Sequence, residues 1–176
     1  PAREFTPFGR YCYLPDNVVL YPGESIYAPL SVSAGLNGWD IADPGRYLLQ
    51  VALHRDVEDL ISNELYLRVA PPRSYEDELI AQEVFTEDVG RVLAVRGSEV
   101  LSSANDVLRR VVDRLDDRRI AIHAAVALAA PEAKDYKVLT TDPTTGAGLQ
   151  VKTRDAKPQE ARRLLDQALT SRRDDA

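Results

Sequence analysis

The sequence predicts an α+β protein: an antiparallel β-sandwich portion over residues 1–72, then a small α-helical subdomain over 73–176. Three observations carry this. The first 72 residues are rich in Tyr, Val, Pro and Gly, with turn signals at short spacing. Apolar residues there recur every second position, the period of a half-buried strand. Beyond Pro71 and Pro72, which cannot continue a ladder, the apolar period changes to that of a helix.

The elements follow in order. In "SIYAPLSVS", Ile26, Ala28, Leu30 and Val32 alternate with small or polar residues, so a strand is expected. In "YLLQVALH", Tyr47, Leu49, Val51 and Leu53 share one face; in "NELYLRVA", Leu65, Leu67 and Val69 do. "YPGES" and "DPGRY" read as turns, and "RDVED" as a polar hairpin loop between the last two strands.

Ser74 has the character of a helix N-cap, with acids filling the first turn, which predicts a helix over 74–85. Thr86 is placed to cap a second, 86–94. Ser103 is expected to cap a third, 103–116, where Ala104, Val107, Leu108, Val111, Val112 and Leu115 follow the i, i+3, i+4, i+7 rule. Residues 118–130 are apolar nearly all round, which predicts a buried helix limited by Pro131. Residues 140–156 read as a mobile polar loop around Gly146 and Gly148. Pro158 opens a last helix, 158–170.

The N-terminal motifs resemble the second half of a bacterial immunoglobulin-like domain. Pro22, Gly23 and Glu24 match the turn before a strand. Pro44, Gly45 and Tyr47 match the corner leading into the next-to-last strand, and Ser62, Asn63 and Leu65 match the opening of the last. The resemblance implies that the Tyr47 hydroxyl returns to upstream backbone. A complete sandwich of this kind needs about 7 strands over about 100 residues. Residues 35–45 hold one turn and no strand, and residues 1–21 can supply about two. The sandwich is therefore expected to lack its first strands, and its partner is expected to be upstream polypeptide or another protein subunit, joined by β-strand pairing. The chain begins at Pro1 and has no Met, so it reads as a processed product or an excised piece of something longer. High Ala, Arg, Asp and Val with few Lys points to a GC-rich genome. An extracytoplasmic or cell-surface setting is slightly favoured.

The helical region resembles, more loosely, a helical hairpin of the tetratricopeptide kind in "ANDVLRRVVDRLDDRRIAIHAAVALA", with "KPQEARRLLDQAL" like the first helix of another. Ala104, Leu108, Ala121 and Ala125 serve as packing positions. Residues 131–157 depart from that pattern, being far too long for the joins of a repeat of about 34 residues.

Side chains capable of chemistry are sparse. The net charge of −6 argues against nucleic acid and anionic membranes, and no apolar run approaches the ~20 residues that span a bilayer. His54 ends a strand and is expected at the surface; His123, within an apolar helix, is expected partly buried. Neither stands in a zinc-ligand spacing. Cys12, the one cysteine, is read as a structural thiol. Asp56, Glu58 and Asp59 share one loop without an EF-hand pattern. Glu76, Asp77 and Glu78 suit the helix dipole. The arginines from Arg109 to Arg119 alternate with aspartates as a solvated face, and "TTGAGLQV" lacks phosphate-loop spacing. No catalytic, cofactor or metal set is predicted. Two readings follow: a structural and interaction module of a larger bacterial protein, and a sugar- or peptide-binding accessory domain of a secreted hydrolase. In the second, Trp39, Tyr27 and Tyr21 would stack on the ligand; otherwise Trp39 is core.

Overall fold

The computed structural model describes residues 3–8, 19–27, 31–54, 57–116, 119–141 and 149–170, leaving aside the Leu149 side chain. Within them lie five helices and four two-stranded antiparallel pairs, an α+β arrangement. The core belongs to the helices.

Helix α1, Tyr75–Val84, starts at Ser74, whose hydroxyl accepts from the Asp77 N–H at 3.1 Å; the Asp77 carboxylate accepts from the Arg73 N–H. Helix α2, Glu87–Ala94, begins after Thr86, whose hydroxyl makes no capping bond. It ends in a Schellman motif: Gly97 N–H donates to Val92 carbonyl at 2.8 Å, and Arg96 N–H to Leu93 carbonyl at 3.2 Å. Arg96 takes the left-handed position, at φ 61°.

Helix α3, Ser102–Arg114, starts one residue before the expected cap, with Leu101 at the N-cap. Ser103 therefore lies inside the first turn. Its stripe buries Ala104, Leu108, Val111 and Val112 as the periodicity requires. Helix α4, Arg119–Glu132, runs past Pro131. The proline stands in the last turn, where it removes only its own N–H. The Ala127 carbonyl thereby loses its i+4 donor, and Gly97 lies against it: a Cβ at Gly97 would sit 2.5 Å from that oxygen. Ala121, Ala124, Ala125, Ala127 and Ala129 are buried, and these small residues admit close packing of α3 on one side and of α5, Pro158–Thr170, on the other. His123 departs from expectation: it is exposed, because the burial of α4 is one-sided at that turn, as Val126 also shows.

Residues 140–156 are not simply a loop. β7, Tyr136–Thr141, pairs with β8, Leu149–Arg154, from Tyr136 opposite Arg154 to Thr141 opposite Leu149. Tyr136, Val138 and Thr140 are half-buried, and their neighbours Lys137, Leu139 and Thr141 are exposed. A strand that leaves one face in water can be polar at half its positions, which is why this pair reads as a loop.

The described residues of the N-terminal part hold three short pairs. β1, Ala34–Gly35, and β2, Gly38–Trp39, make a tight turn that docks on α2. β3, Gly45–Leu49, pairs with β6, Leu65–Val69; β4, Ala52–Leu53, pairs with β5, Leu60–Ile61. Of the strand expected in 25–33, the described residues Ser25–Tyr27 and Ser31–Val32 lie outside any ladder. No described strand runs beside them, and an unpaired strand has nothing to hold it. The described strands pair only in twos, without a second sheet stacked upon them.

Candidate interaction surface

The register of the hairpin over residues 45–69 determines what it presents. Leu49 faces Leu65, and Leu53 faces Leu60. Four steps on the outgoing strand therefore span five on the returning one. The extra residue makes a β-bulge within 62–64. Ser62 fastens it: its N–H donates to the Val51 carbonyl at 2.8 Å, and its hydroxyl accepts from the Val51 N–H at 2.9 Å. The Gln50 amide donates to the Ser62 carbonyl at 3.1 Å.

Directly opposed residues share a face. One face thus carries Tyr47 with Leu67, Leu49 with Leu65, then Val51, and Leu53 with Leu60. It is apolar along its whole length, and it is open. Leu53 and Leu65 are each 60% exposed and Val51 56%. Among the described residues, none between Gly35 and Ile80 is buried, so the hairpin adds nothing to the helical core. Covering half-exposed side chains of this size is worth roughly 1 kcal/mol apiece. Summed over the face, that rivals a typical domain's entire stability margin of about 5–15 kcal/mol.

The opposite face is mixed. Arg46 stands directly across from Arg68, and Leu48 across from Tyr66. All four are exposed, and neither guanidinium has a partner among the described residues. The Tyr66 hydroxyl donates to Glu64 at 2.5 Å, and that bond holds the phenol above its usual range of about 10.0. At the hairpin's mouth the Tyr47 hydroxyl donates to the Asp43 carbonyl at 2.8 Å, returning to upstream backbone beside Pro44 and Gly45.

The three aromatic candidates are not gathered into one site. Trp39 packs on the helices: its indole N–H donates to the Thr86 carbonyl at 2.7 Å, and its ring meets Phe85 edge-on at 4.9 Å. Tyr21 and Tyr27 are exposed and make no ring contact with it. His54 is at the surface, its Nδ1 3.0 Å from Asp59. Cys12, Asp56, Gly146 and Gly148 lie outside the described residues. No helix among the described residues is long and apolar enough to cross a membrane.

A second polar feature escaped sequence reading because its members are far apart in the chain. The Arg154 guanidinium lies 4.5 Å over the Tyr136 ring. Its Nη1 donates to Glu132 at 3.0 Å, its Nη2 donates to the Pro131 carbonyl, and its Nε is 2.9 Å from Glu99, though not aligned for a hydrogen bond. Lys157 reaches Glu132 at 3.3 Å. Beside this cluster is a cleft of 180 Å³ lined by Glu99, Ser102, Asn105, Arg109 and Glu132. Arg109 is itself paired with Asp106. The charges answer one another, which makes this a clasp of α4, β8 and α5 rather than a vacancy for a ligand.

No family model matches the chain, and no curated protein and no solved structure matches it.

Proposed function

We propose that this chain is a non-catalytic structural and protein-interaction module of a larger bacterial protein or assembly, in which the hairpin over residues 45–69 is completed by β-structure from outside it. One observation carries the reading: a continuous apolar sheet face, from Tyr47 to Leu60, that the described helices leave open. Apolar faces of this kind are covered in working proteins. A sheet suits this one best, because the outer edges of β3 and β6 are also unpaired among the described residues. The immunoglobulin-like resemblance supports the same reading, since its missing strands would supply such a sheet. The helices would then serve as the folded body that carries the hairpin.

Sedimentation velocity over a concentration series tests this, comparing the chain with a Leu53→Lys/Leu65→Lys variant. The chain should self-associate through the open face, while the variant stays monomeric with unchanged helical circular dichroism. A monomeric chain that takes up no hydrophobic dye would overturn the reading.

A further inference from the structure

We infer that the strand completing this sheet adds along the outer edge of β3, with apolar side chains on the Tyr47 face and a carboxylate beside Arg46 on the other. The inference rests on the reading above and adds the edge and the chemistry. The two edges of the hairpin are unequal. The returning strand carries the bulge at 62–64, which interrupts its ladder and twists its edge; bulges of this kind protect edges from pairing. The outgoing strand keeps one unbroken residue count from Gly45 to Leu53, so a partner can run beside it in a single register.

The side chains then set the partner's pattern. On one face the incoming residues meet Tyr47, Leu49 and Val51, which favours apolar partners. On the other they meet Arg46, Leu48 and Gln50, and Arg46 already stands opposite Arg68. Like charges directly opposed weaken a sheet, and neither guanidinium has a counter-charge among the described residues. A carboxylate on the incoming strand beside Arg46 supplies it.

Two synthetic heptapeptides, EVTVTVE and KVTVTVK, place a charge beside Arg46 in either strand direction when their valines meet Tyr47, Leu49 and Val51; they probe this against the full chain, with binding followed by NMR titration and the edge located by amide hydrogen exchange. EVTVTVE should bind at least roughly threefold tighter than KVTVTVK. It should slow exchange within 46–52 and leave 65–69 unchanged. Arg46→Glu should reverse the preference; it sets a carboxylate opposite Arg68, so the hairpin itself is not weakened. Equal binding of both peptides, no binding of either, or protection confined to 63–69 would overturn the inference. In each of these cases the sedimentation experiment still decides the broader reading, because self-association lost in the Leu53→Lys/Leu65→Lys variant does not depend on which edge is used.

Discussion

A Cβ placed on Gly90 would stand 3.0 Å from Nε1 of Trp39 and 2.8 Å from the Ala34 side chain. Helix α2 therefore carries a glycine where the β1–β2 turn docks. This contact, with the Trp39 bond to Thr86, fixes the N-terminal segment to the helical body. Alanine is favoured over glycine in a helix interior by about 1 kcal/mol. Crowding a packed site costs about 1–3 kcal/mol.

Gly90→Ala is accordingly expected to destabilise the protein by about 1 kcal/mol despite the better helix former. Denaturant melts measure this, and tryptophan emission should shift to the red as Trp39 is displaced. A stabilised variant with unchanged emission would remove the docking account.

Arg96 holds a left-handed backbone at the end of α2, which costs a non-glycine residue roughly 1–2 kcal/mol. Its side chain makes no bond among the described residues to offset this. Arg96→Gly should therefore raise stability by about 1 kcal/mol, read from the midpoint of chemical unfolding. A loss of stability would show that the guanidinium is engaged.

Tyr47→Phe removes the hydroxyl bond to the Asp43 carbonyl and should cost about 1 kcal/mol locally. Because the hairpin lies outside the helical core, the effect should appear as faster amide exchange over 43–49 more than as a shift in the global melt. Unchanged exchange there would mean that the bond does not hold the strand entrance.

Glu160 is held below its usual value of 4.5 by the hydrogen bond from Arg163, against an opposing effect of desolvation, with the positive charges of Arg163, Lys157 and Arg109 adding to the lowering. A carboxylate whose folded pKa is depressed contributes stability above its unfolded pKa and loses it as pH falls through the folded one. The pair is exposed, so about 0.3–0.5 kcal/mol is at stake. The stability difference between the chain and Glu160→Gln should be present at pH 6 and vanish progressively below 4.5. A difference that persisted in acid would not come from this ion pair.

The features legible in the sequence are those set by neighbours in the chain. The Ser74 cap, the α3 stripe and the alternation in Leu65–Val69 need only local geometry. What could not be read depends on distant partners. Trp39 gave no local sign that its indole would reach Thr86, and Arg154 gave none that Glu99 and Glu132 would converge on it. The bulge needs both strands in register, because Asn63 and Glu64 look unremarkable until Leu49 and Leu65 are paired. The apolar alternation of the hairpin was plain, and what stayed hidden was that no described element covers it.

In the proposed assembly, something other than this chain's own helices covers the apolar face of the hairpin. Carbene footprinting of Leu53, Leu65 and Leu67 across a dilution series reads that cover out residue by residue. Strong labelling is expected in dilute protein and protection on association, with the labelling of Val89 and Leu108 low throughout. Protection of all three leucines at the lowest concentration, in a chain shown to be monomeric, would contradict it.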